Sequence, residues 1–157
     1  MAEDLTIVSG NKVAQYQSII PQIKALISGE EDQVANMANV CAALKEQFGW
    51  LWVGFYLVKQ NELVLGPFQG PVACTRIGFG KGVCGSAWEQ AAALIVSDVD
   101  LFPGHIACSS ISKSEIVIPV FKGEEVIGVL DVDSQHYAHF DEIDQKGLTT
   151  ILSLLSF

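Results

Sequence analysis

Cations are scarce in this chain. Lys and Arg total 9 against 18 Asp and Glu, for a formal net charge of −9 over 157 residues. A nucleic-acid-binding surface needs a basic stripe, and none is present. The same shortage disfavours attachment to anionic membrane surfaces. The first residues, MAEDLTIVSGNK, place acids where a secretory signal requires a basic region, and no apolar segment follows them. No apolar run is long enough to span a bilayer. Low-complexity linkers and internal repeats are also missing, and the length suits one domain over 1–157. These absences predict a cytoplasmic, reducing setting, where a permanent disulfide framework is not expected.

Four cysteines are nevertheless present. Cys41 falls on a helical apolar stripe with Val34, Met37 and Leu44, so it reads as core. Cys74, Cys84 and Cys108 differ. They sit in GPVACTRI, GKGVCGSAW and FPGHIACSS, loop-like stretches beside glycines. Side chains at such turns can meet a ligand or each other, which points to thiol redox chemistry. Metal binding is the rival reading. His105 and Cys108 with Cys74 and Cys84 would make a Cys₃His zinc set, but no C-x-x-C pair supplies the usual knuckle, and His105 otherwise reads as a loop histidine with its ring at the surface.

The periodicity predicts a helix within the first thirty residues carrying Tyr16, Ile19, Ile20, Ile23, Leu26 and Ile27. Pro21 either kinks it or marks its start. Ser28 and Glu31 form a capping box for a second helix, which Gly49 ends. Strands are predicted over 50–58 and 62–65, with a turn at Gln60-Asn61. Leu51, Val53, Phe55 and Leu57 share one face of the first strand. Trp52, Gly54 and Tyr56 share the other, where the glycine leaves either a slot between rings or room for a neighbouring backbone.

A glycine- and proline-rich stretch over 66–85, a long loop or an interrupted strand, is followed by a short helix over 86–92 and a short strand over 94–97. A second long loop then leads to a hairpin, 115–121 and 126–133, about Lys122-Gly123. Asp141 caps a last helix bearing Leu148, Ile151, Leu152 and Leu155. The order predicts an α+β fold, a central antiparallel sheet with helices on one face and long loops over the other. Long ordered loops in a small domain imply a functional reason.

Gly80, Gly82 and Gly85 fit G-x-G-x-x-G, with Asp100 downstream. The hairpins exclude the parallel unit that a dinucleotide site requires, so the glycines read as turns or close approaches. Asp131 and Asp133 share a strand face, and Glu115 opens the neighbouring strand just after the Cys108 loop. Three carboxylates at the ends of apolar runs raise one another's pKa, so one can stay protonated and deliver a proton.

Taken together, LWVGFYL, LVLGPFQGPVACTRI, GKGVCGSAW, FPGHIACSSISKSEIVIPV and GVLDVDS resemble the free methionine-(R)-sulfoxide reductases, a GAF-domain family. The resemblance runs from about Glu30 to the end. The intervals of ten and twenty-four residues between Cys74, Cys84 and Cys108 fit the family pattern. It implies a GAF fold with loops covering a ligand pocket. It implies Cys108 as nucleophile, Cys74 as the main resolving cysteine and Cys84 as an auxiliary one. Glu115, Asp131 and Asp133 match its acidic site residues, and Trp52 and Tyr56 match its pocket aromatics. Asp131 is expected to hold the substrate ammonium group, while the carboxylate would fall to loop N–H groups, with Arg76 the only arginine in view.

The implied reaction reduces free methionine-(R)-sulfoxide through a sulfenic acid and a disulfide that thioredoxin recycles, with no metal or organic cofactor. The family also admits a homodimer through the terminal helices. A non-catalytic GAF sensor and a zinc-binding structural module are the alternative functions.

Overall fold

Asn11 starts the first helix by accepting the Ala14 N–H at 2.8 Å. The helix, α1, then runs Lys12–Leu26 in a computed structural model that describes residues 4–157. Pro21 neither starts nor ends α1 but lies inside it. The expected Ser28/Glu31 capping box is not used. Asp32 caps α2 (Gln33–Phe48) by accepting the Ala35 N–H at 2.9 Å, and Glu30 takes the Asp32 N–H at 2.7 Å. An aspartate is as good a cap as serine, and Glu30 holds it in place. Val34 in the first turn is 61% exposed, so the buried stripe begins at Met37 and continues through Val40, Cys41 and Leu44. Gly49 closes the helix in the left-handed conformation, as expected.

The strands are β1 (Trp52–Lys59), β2 (Glu62–Gln69), β3 (Arg76–Gly78), β4 (Leu94–Val96), β5 (Ser114–Lys122) and β6 (Glu125–Ser134). They form one sheet in the order β3-β2-β1-β6-β5-β4, and every described pairing is antiparallel. Two helices complete the fold, α3 (Gly82–Gln90) and α4 (Glu142–Ser153). Of the two readings for the stretch after Leu65, the interrupted strand holds: β2 continues to Gln69, and its register against β1 shifts near Gly66. That irregularity absorbs the glycine and proline that made the segment read as loop.

Period-two alternation sorts the sheet into two faces. Val53, Phe55, Ile116, Ile118, Leu130 and Val132 pack under α1, α2 and α4. Buried Asp144 ties α1 to α4: it accepts from the Tyr16 hydroxyl at 2.8 Å and the Lys12 ammonium at 2.5 Å. Trp52, Tyr56, Val117 and Val129 face the other way and meet Val83, Cys84 and Ala87 of α3. The second face is therefore covered by a helix as well as loops. No helix of the described residues is long and apolar enough to cross a membrane.

Candidate active site

Three strands aim the chemistry at one spot. Glu115 pairs with Asp133 across β5 and β6, and Asp133 pairs with Trp52 of β1. One row further along, Val117 pairs with Asp131, and Asp131 with Gly54. Because neighbouring rows on one face lie two residues apart, the three acids and two aromatics expected at the site share a surface. They line a cleft, open to solvent, that also reaches Cys84, His105 and Cys108.

Gly54 does not leave a vacant slot. A Cβ there would collide with Phe68 and with the ring of Trp52, which itself leans across the glycine. Trp52 stacks between Tyr56 and Phe68 at centroid distances of 5.9 and 5.3 Å. Both polar tips reach the same loop. The Trp52 indole N–H donates to Pro71 O at 3.0 Å, and the Tyr56 hydroxyl to Cys74 O at 2.8 Å. The aromatics thus wall the cleft and also hold the segment carrying Cys74.

At the cleft mouth Cys74 and Cys108 are joined by a disulfide, with Cα atoms 5.5 Å apart. Cys108 is exposed and Cys74 half-buried. Cys41 and Cys84 are free and buried. Cys84 corrects an expectation: it lies in the first turn of α3, not in a loop. The helix starts earlier than Ser86 because Gly80 and Gly82 take positive φ, of 71° and 59°, and turn the chain into it. Gly85 has no room for a Cβ beneath Gly78 O. Turning and close approach therefore account for the three glycines.

The acids are buried, with Glu115 5% and Asp131 6% exposed. Burial is the main force raising the Glu115 carboxyl well above its ordinary range, and the charges of Asp131 and Asp133 add to it. Burial also raises Asp133 strongly, with Asp131 adding, while the Ser112 hydroxyl opposes the shift by donating to Asp133 Oδ1 at 2.7 Å. Asp131 is raised by burial, and its Oδ1 is buried with no hydrogen-bond partner among the described residues. Buried polar atoms are rarely left so, and a ligand donor is the natural complement.

The Cys84 Sγ lies 3.8 Å from Glu115 Oε1, and burial followed by Asp131 and Glu115 pushes its thiol well up. Burial lifts Cys41 to about 12. Thiolates are the reactive form, so both should resist an external alkylating agent in the folded chain. Iodoacetamide at mildly alkaline pH is expected to label Cys74 and Cys108 only after reduction, and Cys41 and Cys84 only after unfolding. Peptide mass mapping reads this directly.

Two residues fall elsewhere than expected. Arg76 is on the edge strand β3, 3.0 Å from exposed Glu62, and is not among the residues lining the cleft. His105 is no surface histidine. Its side chain is 14% exposed, with Nε2 3.9 Å from Glu115 Oε2. Ser112 was not singled out from the sequence, although a hydroxyl two residues ahead of a strand-opening serine is the only cue it offered.

A family model described as GAF domain matches residues 31–157. GAF domain-containing protein A of Dictyostelium discoideum is 65% identical over 99% of both chains. Free methionine-R-sulfoxide reductase of Escherichia coli is 42% identical over 92% of this chain and 88% of its own. The solved structure of free methionine-R-sulfoxide reductase from Neisseria meningitidis, in complex with its substrate, superposes with a TM-score of 0.95. It is 53% identical and covers 98% of this chain and 93% of its own.

Proposed function

The chain belongs to the GAF-domain family and, within it, to the free methionine-R-sulfoxide reductases, and on that premise we propose that it reduces free methionine-(R)-sulfoxide to methionine at Cys108. The observation that carries this reading is the Cys74–Cys108 disulfide at the mouth of a cleft floored by buried Glu115 and Asp131 and half-buried Asp133 and walled by rings.

The steps balance as follows. The Cys108 sulfur attacks the sulfoxide sulfur to form an S–S bond, while Glu115 or Asp133, each holding its proton, hydrogen-bonds and protonates the sulfoxide oxygen, which then migrates to Cys108 as the S–S and substrate S–O bonds break. The proton that Cys108 gives up restores the acid. Methionine leaves, and the oxygen stays on Cys108 as a sulfenic acid. The Cys74 thiol condenses with it, releasing water and forming the disulfide. A dithiol protein of the thioredoxin kind then reduces that bond and restores both thiols. Cys84 is the auxiliary resolving thiol. Trp52 and Tyr56 face the sulfonium-like charge that develops on the substrate sulfur.

Asp131 takes the substrate ammonium group, which would satisfy its unpartnered Oδ1. Recognition of a free amino end excludes a methionine sulfoxide within a peptide. Residues 1–157 form one such domain, acting in the cytoplasm, with α1 and α4 as the surface of a homodimer. The test is incubation with reductant and either the R or the S epimer of the free amino acid, or the peptide-bound form. Only the free R epimer is expected to disappear. Equal loss of both epimers, or turnover of the peptide form, would refute the assignment.

A further inference from the structure

We propose that Cys84, Glu115 and Asp131 form a binding site for a zinc-like divalent cation, overlapping the substrate site. Their ligand atoms all lie within 4.8 Å of one another. They come from three elements, α3, β5 and β6, so the geometry is set by the packed core and not by a mobile loop. Tetrahedral zinc with sulfur and oxygen ligands needs ligand–ligand edges of about 3.3–3.5 Å. The Cys84–Glu115 edge is already 3.8 Å, and edges of up to 4.8 Å within the cluster close by rotation of the carboxylates.

A second observation is independent of this clustering. Asp131 Oδ1 is buried without a partner on a residue 6% exposed, and Asp131 lines the cleft. None of the three residues has a lysine or arginine ion pair among the described residues. His105 lies outside the cluster, with Nε2 3.9 Å from Glu115 Oε2, so the fourth position falls to water.

The donor set of one sulfur and two carboxylates selects zinc over magnesium or calcium, which prefer all-oxygen shells. The ligands differ from the Cys₃His set suggested by the sequence, because Cys74 and Cys108 are engaged with each other. Binding sends the Cys84 proton and the Glu115 proton to solvent, and zinc takes their place. Zinc would then occupy the carboxylates that the substrate needs. This overlap rests on the roles proposed above for Asp131 and Glu115; the metal site itself does not.

The experiment titrates zinc chloride into metal-free protein with its disulfide intact, in competition with a chelating dye. One zinc per chain is expected, with a Kd on the order of 1 µM or tighter. Cys84→Ser and, independently, Glu115→Gln should each weaken it by about 10-fold or more. Excess magnesium should not compete, and free methionine-(R)-sulfoxide should. No zinc retention, or wild-type affinity in both variants, overturns the site. So does binding that appears only after reduction and is lost in Cys74→Ser, which would restore the Cys₃His set. Zinc that the variants weaken but the sulfoxide does not displace overturns the overlap alone. Turnover of the sulfoxide by metal-free enzyme tests the functional reading separately.

Discussion

Cys108→Ser is expected to lose turnover altogether, whereas Cys74→Ser should release about one methionine per chain and then stall. Serine keeps the size of the side chain but supplies an alcohol, which at neutral pH has almost no anion to attack a sulfoxide. No other described thiol can take over. Cys41 is buried in the helix-covered core, and Cys84 is buried with its proton held by burial and two neighbouring acids. Loss of Cys74 leaves the first chemical step intact and removes the thiol that discharges the sulfenic acid. If Cys84 acts as auxiliary resolver, later turnovers continue slowly in Cys74→Ser and cease in the double variant Cys74→Ser/Cys84→Ser. Quench-flow measurement of methionine against enzyme separates the burst from the steady rate. Wild-type steady turnover in Cys108→Ser would remove the nucleophile from the account.

Glu115→Gln should lower kcat by about 100-fold, the usual scale for a lost general acid, with a much smaller change in KM. The amide still donates a hydrogen bond to the sulfoxide oxygen but cannot release a proton to it. Asp133→Asn should cost less if Glu115 is the donor and more if Asp133 is. The two carboxyls are cross-strand partners, so their protons are shared properties of the cluster. Comparing the two kcat values assigns the donor. Asp131→Asn should act mainly on KM, since the role given to it is to hold an ammonium group through ground state and transition state alike.

Much of this site was legible in the sequence for one physical reason: strand side chains alternate. LWVGFYL and GVLDVDS each display their polar and aromatic members two residues apart, so Trp52, Tyr56, Asp131 and Asp133 had to share faces once the strands formed. Glu115 joined them because its strand follows the Cys108 loop directly. What the sequence concealed was local backbone geometry. Positive φ at Gly80 and Gly82 begins α3 four residues earlier than its apolar pattern suggested and makes Cys84 helical. The register shift near Gly66 keeps β2 going through residues that read as a breaker. His105 and Arg76 exchanged expectations because their neighbours are remote in sequence. One turns inward toward Glu115, and the other pairs with Glu62 on the sheet edge.

The central claim is that oxygen moves from substrate sulfur to the sulfur of Cys108. The direct measurement uses Cys74→Ser/Cys84→Ser protein, free methionine-(R)-sulfoxide and dimedone, which traps sulfenic acids. Mass mapping should find the adduct on Cys108, in step with the methionine released. Methionine formed while Cys108 stays an unmodified thiol would contradict the account.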